Sequence, residues 1–208
     1  MGQADFFYQV ANCAEDIRDF KCAVNSNRYD LADMLRQKGY VFADRTVKAS
    51  IPLKASADFK RLCRLKIEES KLNARITEIA KENFREDVRF FVSFPPKFDE
   101  QLLENYLSEI KTCYVCRCKE EIAGFIEVVE IMDENKNWSG VIRLAAVDAK
   151  YRLSGAALSL YAGAAELCRQ KNFRRIEGRI SCRNMPALNL YSSFGAAFSE
   201  PLDIYIRS

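Results

Sequence analysis

The 208-residue chain contains no histidine. Because imidazole is the usual partner of an activated serine or cysteine, every Ser-His or Cys-His arrangement for nucleophilic catalysis is excluded. A general base in this protein must therefore be a carboxylate, a tyrosine, a thiol or a water molecule. The absence also removes a common zinc ligand, so a zinc site in this chain would depend on cysteines.

The sequence also lacks a long hydrophobic run and a strong excess of charge. No stretch approaches the roughly 20 apolar residues that cross a bilayer, and the first residues show neither the basic start nor the apolar core of an export signal. Lys and Arg number 32 against 29 Asp and Glu, a balance too even to favour nucleic acid or an anionic membrane. We expect a cytoplasmic protein with neither of these partners.

Eight cysteines are present, but they are scattered, and without an export signal we expect reduced thiols. The tightest cluster contains Cys113, Cys116 and Cys118. In a β-strand, Cys116 and Cys118 would share one face while Cys113 points to the other. A zinc site would then need a further ligand from a distant cysteine. We therefore predict small core residues and no metal.

The apolar pattern predicts an α/β fold with two parts. A helix over about 29–38 and a strand over 40–53 form a small N-terminal extension, which we place at 1–53. The remaining residues, 54–208, form the main domain. There the periodicity predicts one or two helices over 56–84. A short helix, a β-hairpin, and then strand, helix, strand, helix and strand follow.

One junction carries the strongest functional signal. A strand ends at Val147 and a helix begins near Gly155, in the segment VDAKYRLSGAALSL. Backbone N–H groups in the first turn of a helix lack partners and bind phosphate oxygens, helped by the helix dipole. Gly155, Ala156 and Ala157 are small enough for an anion to approach closely, and Arg152 adds a positive charge. The junction therefore predicts a phosphate-binding site.

These residues resemble the GNAT acetyltransferase family. Its signature is Arg or Gln, two residues, Gly, one residue, and Gly or Ala, and it is matched by Arg152, Gly155 and Ala157. A second family motif is matched by Asn184, Ala187, Leu190, Tyr191 and Gly195. The chain departs from the family pattern at three places: many members have glycine where this chain has Leu153 and Ala157, and phenylalanine where it has Ala196. The two motifs together cover roughly 141–198.

The resemblance implies the GNAT fold, a central mixed and mostly antiparallel sheet flanked by helices. It also implies transfer of an acetyl group from acetyl-CoA, as co-substrate, to a primary amine. The implied cofactor-binding residues are Ala145, Ala146, Val147, Arg152, Leu153, Ser154, Gly155, Ala156, Ala157 and Asn184. Tyr191 takes the family's general-acid place, where it protonates the leaving sulfur.

The general base is predicted from the residues. Glu127 and Glu130 lie on opposite faces of an apolar strand, and a carboxylate that faces a dry cleft has a raised pKa suited to accepting a proton. We predict Glu127 as the base. The alternative is a strand-edge glutamate that pairs with a lysine or faces solvent.

The order of elements around LRQKGYVFADRTVKASIPL and RFFVSFPP is similar to that of bacterial TDP-fucosamine acetyltransferases. This resemblance implies a nucleotide-linked amino sugar as the acceptor, with Arg89 and Phe90 on the substrate side. The alternatives are a protein, peptide or polyamine acceptor, or a non-catalytic acyl-CoA-binding module. The sequence leaves a homodimer open.

Overall fold

The computed structural model describes residues 8, 10–13, 20–53 and 59–208. Within these residues eight strands form one sheet: β1 (Lys21–Asn25), β2 (Tyr40–Pro52), β3 (Ile67–Ser70), β4 (Cys113–Cys118), β5 (Glu121–Met132), β6 (Trp138–Val147), β7 (Arg175–Ser181) and β8 (Ala197–Arg207). Five α-helices accompany them: α1 (Tyr29–Gln37), α2 (Ala74–Asn83), α3 (Glu100–Ser108), α4 (Ala156–Gln170) and α5 (Met185–Ser193). Short 3-10 turns occupy Phe59–Leu62, Val88–Phe90 and Ala149–Tyr151.

The strand order is β1-β8-β2-β7-β6-β5-β4-β3. Every neighbouring pair is antiparallel except β6 and β7, which run parallel and are connected through α4. The predicted fold class, a mixed and mostly antiparallel sheet flanked by helices, is therefore confirmed. Among the residues described, no helix is both long and apolar enough to cross a bilayer.

The helices cover both faces of the sheet. Cys113 and Val115 of β4 pack in a cluster with α2 and α3, whereas Cys116 packs in a second cluster with α4 and α5. Alternate residues of a strand point to opposite faces, so the two clusters lie on the two sides of the sheet. Cys118 packs against the same cluster as Cys116, as the strand periodicity predicts.

The prediction for residues 56–84 is only partly correct. The structure has a 3-10 turn at Phe59–Leu62, strand β3 and helix α2 in this region, while residues 54–58 lie outside the described chain. β3 is a four-residue edge strand whose partner, β4, lies far away in sequence. Its conformation depends on hydrogen bonds to that partner, which local periodicity cannot reveal.

Strand β2, from the predicted N-terminal extension, lies between β7 and β8 in the shared sheet. It pairs with β7 from Thr46 opposite Ser181 to Pro52 opposite Arg175. Its pairing with β8 shifts register between Phe42 and Asp44, which is a β-bulge. The bulge places Asp44 just beyond the end of β7, beside the site described next.

Candidate functional site

The parallel strands β6 and β7 separate at the centre of the sheet. They pair from Ser139 opposite Arg175 to Ile142 opposite Gly178, and the pairing ends there. Arg143 is the extra residue of a bulge in β6, because Ile142 and Leu144 face consecutive residues of β5. A bulge bends its strand, which gives a physical reason for the separation. An opening therefore forms between the ends of the two strands.

This opening belongs to a cavity with a volume of about 530 Å³. One part of its wall comes from the face of the sheet covered by α4 and α5, namely Tyr161 of α4 and Ala187 and Tyr191 of α5. The opposite part comes from residues at and after the end of α2 and from β2: Asn83, Phe84, Asp87, Arg89, Asp44 and Thr46. Since these groups lie on different faces of the sheet, the cavity connects one face with the other.

Tyr191 lies in the wall of this cavity and is only 2% exposed. Its ring meets that of Tyr161 nearly at a right angle, with centroids 5.1 Å apart. Gly178 allows this placement, because a Cβ atom at that position would lie 2.1 Å from the Tyr191 hydroxyl oxygen. Burial raises the pKa of Tyr191 well above its ordinary value. The phenol therefore keeps its proton at neutral pH.

The predicted phosphate-binding segment lies at the start of α4. Gly155 precedes the helix with a left-handed φ of 81°, and a Cβ atom there would meet nothing within 4 Å. The N–H of Ser159 donates to the carbonyl of Gly155, so the amides of Ala156 and Ala157 precede the helical hydrogen-bond ladder. The side chain of Leu153 is fully exposed and points away from the protein. The segment thus fits an anion.

Arg152 is exposed and donates through Nη2 to the side chain of Asn83, at 3.4 Å. Ser154 donates its hydroxyl hydrogen to the carbonyl of Tyr151. Asn83 and Tyr161 both line the cavity, so the start of α4 and the cavity are neighbours. The structure therefore brings the predicted phosphate-binding residues and Tyr191 together around α4.

The predicted residues at the end of β6 divide between three environments. Ala145 lines the cavity, Ala146 is buried in the cluster with α2 and α3, and Val147 packs against the cluster with α4. One edge of β6 is bonded to β5, and the other edge faces the opening beyond Ile142. Backbone groups on that edge need partners, and a ligand between the strands can provide them.

Glu127 is 4% exposed but does not line the cavity. Its Oε2 accepts a hydrogen bond from Nε of Arg143 at 2.9 Å, and the guanidinium of Arg143 lies 4.3 Å from the ring centroid of Tyr106. Burial raises the pKa of Glu127, while Arg143 opposes the shift. The carboxylate therefore holds the bulged residue of β6 in place.

Of the three remaining predicted residues, two line the cavity and one does not. The side chain of Asn184 accepts from the N–H of Ala187 at 3.1 Å and so caps α5, in the cavity wall. Arg89 lines the cavity and forms an ion pair with Asp87, with Nη2 and Oδ2 2.6 Å apart. Phe90 is 1% exposed and packs in the α2 and α3 cluster, away from the cavity wall.

Sequence reasoning did not identify Asp44, Tyr161 and Ser181 as parts of the site. Asp44 is an acidic residue within a strand of β-branched and aromatic residues, VFADRTVKASI. A charged residue in such a strand is seldom buried without a specific role, so this signal could have found it. Tyr161 and Ser181 carry no comparable signal, because both residue types are common in helices and at strand ends.

The chain is also similar to known proteins. A sequence model described as "Acetyltransferase (GNAT) family" matches residues 74–196, more than half of the chain. A search of curated protein sequences finds no significant match. A functionally unknown conserved protein from Staphylococcus epidermidis shares the fold with a TM-score of 0.61 at 12% identity, over 90% of this chain and 72% of that one.

Two further solved structures are GCN5-related N-acetyltransferases. The protein from Sphaerobacter thermophilus has a TM-score of 0.54 at 14% identity, over 89% of this chain and 58% of its own. The protein from Anabaena variabilis has a TM-score of 0.54 at 12% identity, over 90% of this chain and 45% of its own. This chain thus spans less than two thirds of either protein, and the likeness concerns the fold.

The family match includes the bulged strand β6, the start of α4 and the helix that carries Tyr191. It therefore covers most of the residues that surround the opening in the sheet, although not those of β2, and the chain belongs to the acetyltransferase (GNAT) family.

Proposed function

We propose that this protein transfers an acetyl group from acetyl-CoA to a primary amine. Membership of the family implies an acyltransferase, and acetyl-CoA is the substrate that the family generally uses. The main support is the cavity that crosses the sheet where β6 and β7 separate. A donor and an acceptor can enter such a cavity from opposite faces and meet at its centre.

The start of α4 is the proposed phosphate site. The backbone N–H groups of Leu153 to Ala157 would donate to the diphosphate, and Arg152 would add its charge. The pantetheine arm would then lie along the edge of β6 from Arg143 to Val147, where backbone groups face the opening. Asn184 would keep the start of α5, and so Tyr191, against this arm.

Tyr191 is the proposed proton donor. When the amine attacks the thioester, the bond between the carbonyl carbon and sulfur breaks, and sulfur leaves with the electron pair. The phenol, whose raised pKa keeps it protonated, supplies a proton to that sulfur from Oη. Glu127, which bonds Arg143 beneath the cavity, would position the bulge of β6 and so the edge that holds the donor.

Two acceptor classes remain candidates. A nucleotide-linked amino sugar is favoured by the order of elements in the sequence, and Arg89 lies in the cavity wall to meet a phosphate, although it already bonds Asp87. A compact amine or a peptide amine is favoured by Asp44, a buried carboxylate in the wall. The test must therefore include both classes.

Release of free CoA, separated by chromatography, should be measured with TDP-amino sugars, polyamines and short peptides. Chromatography is preferable to a thiol reagent because the protein itself carries eight cysteines. We expect turnover with one amine class. Tyr191→Phe should lower kcat by about 100-fold or more while CoA still binds, because general acid catalysis typically contributes that much.

Tyr29→Phe is the matched control, since Tyr29 is 75% exposed on α1 and should not affect turnover. CoA binding without release on any amine would favour a non-catalytic acyl-CoA-binding module. Absence of CoA binding would refute the proposed function as a whole.

A further inference from the structure

Asp44 has an unusual environment for a charged residue, because it is buried in a strand that lies between β7 and β8. The residue is 7% exposed and lies in the cavity wall at the bulge of β2. Its Oδ1 accepts two hydrogen bonds, from the Ser181 hydroxyl at 3.0 Å and from the Arg45 N–H at 2.8 Å. Within the described part of the chain, Oδ2 accepts none. Oδ2 is not among the fully buried unpaired atoms of the described residues, so it is accessible in the cavity wall and can accept a hydrogen bond from a donor on a ligand.

Asp44 is also the one buried carboxylate among the described residues of the wall, and its cationic partner is a weak one. Its nearest one is Nε of Arg183, 3.7 Å away on a side chain that is 72% exposed. The other arginines of the wall are bonded elsewhere, as the pairs Arg89–Asp87, Arg143–Glu127 and Arg179–Glu200 show. An incoming cation would therefore find uncompensated negative charge at Asp44.

We propose that Asp44 binds the ammonium group of the acceptor amine and takes up the proton that makes the amine nucleophilic. This inference rests on the proposed acetyl transfer and deepens it: the acceptor is an amine that arrives as a cation, on the side of the cavity formed by β2. Asp44 would act from one face of the sheet and Tyr191 from the other.

The protons and electrons balance in this step. One N–H proton of the ammonium group passes to Oδ2 of Asp44, and the nitrogen lone pair then forms a bond to the thioester carbonyl carbon. The carbon–sulfur bond breaks, and sulfur receives a proton from Tyr191. A second proton of the nitrogen restores the phenol, and the third stays on the amide. Asp44 finally releases its proton to solvent.

Several groups around Asp44 set its titration. Burial raises its pKa, the hydrogen bonds from Ser181 and Arg45 lower it, and Arg183 lowers it further. Asp87, which follows α2, raises it again. In the same wall, Tyr8 interacts with the charges of Asp44 and Asp87, and Arg179 acts on Tyr8. Activity that needs the ionised carboxylate should therefore fall toward acid pH, below the raised pKa.

Asp44→Asn is the decisive variant, because the amide oxygen can still accept from Ser181 and Arg45. We expect kcat/KM for the cationic amine to fall by about 100-fold or more. The acid limb of its pH profile should disappear, and the Kd for CoA should stay unchanged. Glu127→Gln should keep the acid limb, since Glu127 lies outside the cavity wall. Asp33→Asn, at an exposed residue of α1, is the matched control.

Thermal stability separates a catalytic role from a structural one. Because the pKa of Asp44 is raised in the folded protein, folding favours the neutral carboxyl; stability therefore falls as pH rises from the unfolded pKa to the folded pKa, and the full cost of the ionised form remains at higher pH. The neutral asparagine avoids this cost. We therefore expect Asp44→Asn to melt at the same temperature or higher at pH 7 while it loses activity.

The outcomes are distinguishable. If the wild-type protein releases CoA but Asp44→Asn keeps kcat/KM and its acid limb, the inference about Asp44 is overturned and the proposed function stands. If Asp44→Asn loses activity only together with melting temperature, its role is structural and the inference also fails. If the wild-type protein releases no CoA with any amine, the proposed function itself has failed.

Discussion

The contact between Gly178 and Tyr191 gives a sharp quantitative prediction. A Cβ atom at Gly178 would lie 2.1 Å from the Tyr191 hydroxyl oxygen and 3.1 Å from Cζ, whereas ordinary contact begins at 3.4 Å. Gly178→Ala therefore forces a buried tyrosine to move away from β7. Overpacking of this kind costs about 1–3 kcal/mol. In a chain of this size, that loss lowers Tm by roughly 2–12 °C.

The same distances predict how the cost can be relieved. Tyr191→Phe removes the oxygen that clashes and leaves Cζ at 3.1 Å, which a small shift can accommodate. The double variant Gly178→Ala/Tyr191→Phe should therefore be less destabilised than the sum of the single changes. Thermal and urea unfolding of the four proteins gives this coupling free energy directly.

This reasoning would be refuted by either of two results. A Tm for Gly178→Ala within about 2 °C of the wild-type value would mean that Tyr191 does not press against β7. Additive effects in the double variant would mean that the cost arises elsewhere. In the expected case Gly178→Ala also lowers kcat, because the displaced phenol no longer reaches the leaving sulfur.

Three further predictions concern the cofactor segment, a helix cap and the thiols. Arg152→Ala should raise the Kd for CoA about 2- to 5-fold at low salt, because an exposed charge contributes only modestly to binding. The control Arg36→Ala, on α1, should leave the Kd unchanged. Equal effects of the two variants would argue against a phosphate site at α4. Asn184→Ala should lower the free energy of unfolding by about 1 kcal/mol and Tm by about 2–4 °C, because it removes the cap of α5. The control Asn184→Asp, whose carboxylate can still accept from the Ala187 N–H, should keep most of that stability. Burial raises the pKa of Cys113 to about 11 and those of Cys116 and Cys168 to about 12. At pH 7.5 fewer than about 1 in 1,000 of these thiols are ionised, so mass spectrometry after brief alkylation should find them unmodified, whereas exposed Cys13 reacts. Rapid labelling of Cys116 would contradict its placement in the core.

Local sequence signals determined much of this protein. The absence of histidine limits the possible bases in any fold. The phosphate-binding segment and the motif that carries Tyr191 are contiguous, and helix starts follow from the residues that form them. For the same reason α1, α4 and α5 and most strands could be predicted from periodicity.

Only the tertiary structure decided which distant segments meet. β3 is a strand because β4 supplies its hydrogen bonds, and β2 reaches the centre of the sheet by pairing with β7 and β8. Those pairings bring Asp44 to the cavity of Tyr191, and the alternation of β5 leaves Glu127 outside its wall. Strand partners are chosen by long-range hydrogen bonds and packing, which a local pattern does not encode.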